Sequence, residues 1–117
     1  MTSKKLVEKW FECWNTGDYQ NIPISESFIH TSPFGSTQGR KAYLNLINKN
    51  EDKFTGYTFT IHDAIYEADK ACVRYTGTQG EFYLDVSEWY YIKDNLIDKI
   101  YAYYHIGEIR KERQLNS

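Results

Sequence analysis

Residues 57–104 read almost entirely as strand, cut only by short turns, and this pattern restricts the chain more than any other. In residues 57–66, Tyr57, Phe59, Ile61 and Ile65 alternate with Thr58, Thr60 and His62, the period of a half-buried strand. Glu67-Ala68-Asp69-Lys70 makes a turn, residues 71–78 form the next strand, and Gln79-Gly80 is a hairpin turn. A long strand over 81–92, a Lys93-Asp94-Asn95 turn and a last strand over 96–106 complete the run. Strands joined this tightly must be antiparallel, because a parallel neighbour needs a crossover of roughly a dozen residues. Such a meander has to bury one face, and the N-terminal part of the chain is the material available to cover it.

That part reads as helical. Leu6, Val7, Trp10, Phe11, Cys13 and Trp14 fall on one side of a helix over residues 4–15, with Lys5, Glu8, Lys9 and Glu12 on the wet side. Gly17 suits the left-handed residue that ends it. Asp18 then caps a short second helix through Ile22, which Pro23 stops. Residues 28–41, F-I-H-T-S-P-F-G-S-T-Q-G-R-K, read as a short strand, a Pro-Phe-Gly turn and the start of a helix at Gly39-Arg40-Lys41. Thr37 is the expected cap, Ala42, Tyr43, Leu46, Ile47 and Asn50 continue the helix, and residues 48–56 read as a polar loop. Strand alternation puts Phe28, His30 and Ser32 on one face. An imidazole beside a hydroxyl at a strand end is a candidate pocket wall. Helices first and an antiparallel sheet after define an α+β domain.

A length of 117 residues suits one domain, expected over 1–107 and followed by a charged C-terminal tail at 108–117. Aromatic side chains are unusually abundant, with 11 Tyr, 6 Phe and 3 Trp, enough to fill a core, line a cavity or cover a subunit interface. The net charge of −2 is spread along the chain. No basic stripe offers a phosphate backbone its usual attraction, so nucleic acid is not expected as a partner. Cys13 and Cys72 read as small buried hydrophobes, without zinc-type spacing. His30, His62 and His105 are too scattered for a metal, and no phosphate-binding glycine loop occurs; neither metal nor cofactor is expected. No apolar run follows Lys4 and Lys5, and no stretch approaches the ~20 apolar residues of a membrane span. The expected location is cytoplasmic, with no membrane association.

Three local motifs carry a family resemblance: W-N-T-G-D at 14–18, F-I-H-T-S-P-F-G followed by G-R-K-A, and V-S-E-W-Y-Y-I-K-D-N-L-I. With the order of elements, they make the chain resemble the NTF2-like superfamily in its SnoaL-like and ketosteroid-isomerase-like branch, up to about Gly107. The resemblance implies a cone-shaped, cystatin-like α+β barrel, with N-terminal helices packed in a curved antiparallel sheet and an apolar pocket between them. On the long strand it suggests Tyr83, Asp85, Ser87, Trp89 and Tyr91 facing the cavity, and Phe82, Leu84, Val86, Glu88, Tyr90 and Ile92 facing outward. On the last strand, Ile100, Ala102 and Tyr104 point inward, and Tyr101, Tyr103 and His105 outward. An outer face carrying Val86, Tyr90, Ile92, Tyr101 and Tyr103 is too aromatic to meet only water, so a homodimer through that face is expected.

The family's chemistries map unevenly onto this chain. Ketosteroid isomerases of the fold use a carboxylate base with a tyrosine and a protonated aspartic acid as oxyanion donors; the matching positions hold Trp10, Ser32 and Ser87. For the Asp-Arg-Asp set of limonene-epoxide hydrolases, Arg74 fits the arginine, but Thr76 replaces its neighbour and Tyr104 or His105 stands near the last aspartate. The acid-base pair of SnoaL-type cyclases has one counterpart, His30 with Asp85. His30 is either the proton carrier of such a pair or a histidine bonded to the backbone or Thr31. Arg74 either clamps an anionic group or pairs with Asp85 or Glu88. Trp10, Trp89 and Tyr104 either line the pocket or belong to the core. The resemblance implies a protein that binds an apolar cyclic or aromatic small molecule at His30, Asp85, Trp10, Ser32, Arg74, Ser87, Trp89 and Tyr104. Its chemistry would be cofactor-independent isomerase, cyclase or hydratase catalysis by acid and base. The alternative is a non-catalytic ligand-binding or protein-interaction module of the same fold.

Overall fold

A computed structural model of the protein describes residues 1–105 and Leu115. The expected tail at 108–117 lies, apart from Leu115, outside the described residues. Helix α1, Ser3–Thr16, buries Leu6, Val7, Trp10, Phe11, Cys13 and Trp14 as its spacing predicts. The Thr2 hydroxyl accepts from the Lys5 N–H at 3.2 Å, capping the helix start, and Gly17 ends it at φ 80°. A single 3-10 turn, Tyr19–Asn21, replaces the short helix expected after Asp18. Asp18 does not cap it; its carboxylate accepts from the Asn21 side chain instead.

Strand β1, Ile24–Ser32, is followed by β2, Gly35–Gln38, which folds back on it as a hairpin where the sequence suggested only a turn. Gly-Ser-Thr-Gln has no apolar alternation, so periodicity could not reveal this edge strand. Because β2 takes Thr37, the cap of helix α2, Arg40–Lys49, falls to Gly39 at φ 96°. A one-turn helix α3, Glu51–Phe54, lies inside the expected loop. The meander is β3, Thr58–Tyr66, β4, Lys70–Gln79, β5, Phe82–Lys93, and β6, Leu96–Tyr103.

The strands form one sheet in the order β2-β1-β6-β5-β4-β3. It is curved but does not close, since β2 and β3 are its two edges. All neighbours are antiparallel except β1 and β6, which run parallel. Arg40 secures the approach to β1, its guanidinium donating to the carbonyls of Gln20, Ile22 and Ile24 at 2.9, 3.3 and 3.2 Å. Helix α1 lies against the concave side, where Phe28, Val73, Tyr90 and Ile100 are fully buried with Leu6 and Val7.

The register corrects one expectation and keeps another. The turn after β4 sets Gln79 opposite Phe82, and therefore Tyr75 opposite Val86 and Val73 opposite Glu88. Directly opposed residues share a face, so the Phe82, Leu84, Val86, Glu88 and Tyr90 row turns inward. Tyr83, Asp85, Ser87, Trp89 and Tyr91 turn outward, the reverse of the expected assignment. On β6 the expectation holds: Ile100 and Ala102 are buried and Tyr103 is 58% exposed. Among the described residues, no helix is long and apolar enough to cross a membrane.

Candidate functional site

An apolar cavity of about 170 Å³ opens between the concave sheet face and the helices. Helix α1 supplies Trp10, Phe11 and Trp14, β1 supplies His30, α2 supplies Tyr43, and β4 supplies Tyr75 and Gly77. Alternation along β5 sets Leu84, Val86 and Glu88 into the wall, and β6 with the residues after it adds Ala102 and Tyr104. Leu115 also touches the cavity.

Glu88 is the chemically distinctive member, with only 3% of its surface accessible. The Tyr90 hydroxyl donates to Glu88 Oε1, and the Tyr75 hydroxyl donates to Oε2 at 3.2 Å. Burial disfavours the ionised carboxylate and raises its pKa from 4.5 to about 7, against the opposing pull of hydrogen bonds from Tyr90, Tyr75 and Trp10. The phenols of Tyr43, Tyr75 and Tyr90 are pushed well above their ordinary values, by burial first and then by the Glu88 charge. They remain neutral donors.

His30 stands on the β1 side of the same cavity. Its ring stacks on Tyr43 with centroids 5.1 Å apart and planes at 25°. It lines the cavity, and burial lowers its pKa to about 4. At neutral pH its imidazole is therefore uncharged. Tyr104 lies close enough to feel the Glu88 charge; burial raises its pKa, while a hydrogen bond with Ser32 lowers it. The Ser32 hydroxyl also accepts the Phe34 N–H at 3.2 Å.

The structure thus sorts the residues singled out from sequence. His30, Trp10 and Tyr104 come together in the cavity, and Ser32 stands behind Tyr104. Asp85, Arg74, Ser87 and Trp89 lie on the opposite face of the sheet, so the expected pairing of His30 with Asp85 is not formed. Asp85 accepts from the Thr76 hydroxyl at 2.6 Å, and that oxygen lies 2.7 Å from His62 Nε2. Arg74 pairs with neither Asp85 nor Glu88; its guanidinium donates twice to Asp63 Oδ2, at 2.6 and 2.9 Å. Sequence reasoning missed Glu88, Tyr75 and Tyr43 as site residues. The signal was the short β4–β5 turn, whose register carries the inward-facing Tyr75 across to Val86 and Val73 to Glu88. Among the described residues, no group of three or more His, Cys, Asp or Glu side chains could hold a metal ion.

A curved sheet wrapped around N-terminal helices, with a pocket between them, is the NTF2-like architecture, and solved structures of that class superpose on this chain. An NTF2-like protein from Cytophaga hutchinsonii matches with a TM-score of 0.79 at 19% identity, over 92% of this chain and 93% of that one. A candidate ketosteroid isomerase from Kribbella flavida matches at 0.73 and 18% identity, over 86% and 76% of the two chains. A candidate polyketide cyclase from Xanthomonas campestris matches at 0.73 and 18%, over 90% and 91%. Identities this low speak for the fold alone. Residues 7–100 match the SnoaL-like domain, and the chain belongs to that family. No curated protein matches it.

Proposed function

We propose that this protein binds an apolar, single-ring molecule in the aromatic cavity and moves a proton on it, with Glu88 as the acid and base. One observation carries the reading: Glu88 is buried among aromatic rings, held by two tyrosine hydroxyls, and titrates at about 7. Both protonation states are then populated near neutral pH, the condition in which one group can take a proton and return it. Tyr75 and Tyr90 steady the carboxylate when it is ionised, and His30 offers the substrate an uncharged hydrogen-bonding ring. The role of proton carrier passes from His30 to Glu88, because an imidazole with a pKa near 4 is a weak base. Isomerase, cyclase or hydratase chemistry without a cofactor is the class this arrangement serves.

A second reading, a binding module without turnover, draws support from the cavity's size. Its 170 Å³ falls below the ~300 Å³ at which ordinary ligand pockets begin. Hydrogen-deuterium exchange separates the two. Wild-type protein incubated with single-ring enones and ketones in D2O should speed exchange of their acidic C–H hydrogens, as followed by NMR, and E88Q should not. Binding without accelerated exchange leaves the second reading standing and removes the first.

The outer sheet face supports a homodimer. Trp89, Tyr91 and Tyr103 are 39%, 38% and 58% exposed there, and Tyr91 meets the Tyr101 ring edge-on at 5.8 Å. The Arg74–Asp63 pair and Asp85 lie beside them, the apolar centre and polar rim of a subunit interface. Val86 and Tyr90, expected on that face, are inside.

A further inference from the structure

We propose that Ala102 sets the specificity of the cavity, by leaving open the place where an uncharged hydroxyl or carbonyl on the ligand's ring sits between Glu88, His30 and Tyr104. The inference rests on the cavity being the ligand site and adds which part of the ligand goes where. Its basis is the sheet register. β6 runs between β5 and β1, with Ala102 directly opposite Glu88 and Ile100 opposite both Tyr90 and His30. Strands lie about 4.8 Å apart, so the Glu88 backbone and that of β1 are separated by roughly 10 Å across this position. Ile100 fills the inward row one step before, fully buried, and Tyr104 stands one step after. Ala102 is the one short side chain in that row. Three polar side chains, Glu88, His30 and Tyr104, line the cavity together with Ala102, and Ser32 engages the Tyr104 hydroxyl.

Charge narrows the ligand class. Among the described residues, an anion at Ala102 would meet Glu88 at close range with no cation beside it. Lys53 is the cationic side chain among the described lining residues, and it belongs to α3. Gln79 ties that helix, through the Asp52 and Thr55 carbonyls, to the far end of β5 beside Phe82. Each Glu88 oxygen already accepts a phenolic hydrogen. A neutral hydroxyl or carbonyl completes the set without adding a buried charge.

The test is calorimetric titration of wild type, A102V, A102L and A102G with phenol, toluene, benzoate and benzylamine at pH 7, with the Tm of every variant measured alongside. Wild type should bind phenol at least tenfold more tightly than the other three. A102V and A102L should lose phenol at least tenfold while still unfolding cooperatively, at the cost in Tm that enlarging a buried side chain brings, and A102G should retain it; A102V serves if leucine proves too large to fold. Equal phenol affinity in wild type and A102V would overturn the role of Ala102 while leaving the cavity as the ligand site. Toluene, benzoate or benzylamine bound as tightly as phenol would overturn the uncharged polar group. Failure of wild type to bind any of the four would remove the cavity reading and this inference together.

Discussion

At the scale of single residues, Glu88 and His30 pull the stability of the fold in opposite directions across the same pH range. In Glu88 the folded pKa is raised, from 4.5 to about 7. Between those values the folded chain holds a proton that the unfolded chain has released, so this group costs stability as pH rises. The full shift corresponds to about 3 kcal/mol. In His30 the folded pKa is lowered, from 6.5 to about 4, so the unfolded chain binds the extra proton and stability is lost as pH falls through that window. The wild type should therefore show a nearly level denaturation midpoint from pH 5 to 6.5. H30Q should become less stable on going from pH 5 to 8, and E88Q should become less stable on going from pH 6.5 to 4, both read from urea titrations. A wild-type profile as steep as either variant's would contradict the two shifts. The magnitude matters because a domain of this size is held by only ~5–15 kcal/mol.

Among the elements, β5 shows what could and could not be read from sequence. The meander, α1 with its buried stripe and the Gly17 stop were legible, because apolar periodicity and a left-handed glycine are local signals. The face of β5 was not, since both of its rows carry aromatics: Phe82 and Tyr90 in one, Tyr83, Trp89 and Tyr91 in the other. A one-residue choice of face decides every side chain on the strand, and it hid Glu88 behind Asp85 and Ser87. Edge strand β2 was invisible for lack of periodicity, and the β1–β6 pairing because its partners are distant in sequence. The Arg40 clamp was equally unreadable, as it acts on backbone carbonyls. R40M should cost about 1–3 kcal/mol by removing the hydrogen bonds that a charged donor makes to these carbonyls, measured as a lower urea midpoint with an unchanged slope. At the β5–β6 hairpin, Asp94 and Asn95 both take positive φ, 52° and 62°, the requirement of a two-residue type I′ turn. N95G should hold or raise Tm, whereas N95V should lower it.

For the whole molecule, one sheet presents two different surfaces on its opposite faces. Its concave side and the helices enclose the cavity, and its convex side carries Trp89, Tyr91, Tyr101 and Tyr103. If that convex side joins two copies, Y103E should shift sedimentation toward the monomer while leaving phenol affinity within about twofold, since the two faces share no side chain. A wild-type protein that sediments as a monomer at tens of micromolar would reject the dimer. A large loss of phenol binding in Y103E would mean that the faces are coupled.

The most direct measurement is a carbon-13 NMR pH titration of the Glu88 side-chain carboxyl, assigned by comparison with E88Q. The expected midpoint is about 7, moving when phenol is added. A midpoint at the ordinary 4.5, unchanged by phenol, would show a solvated carboxylate and contradict the role given to Glu88.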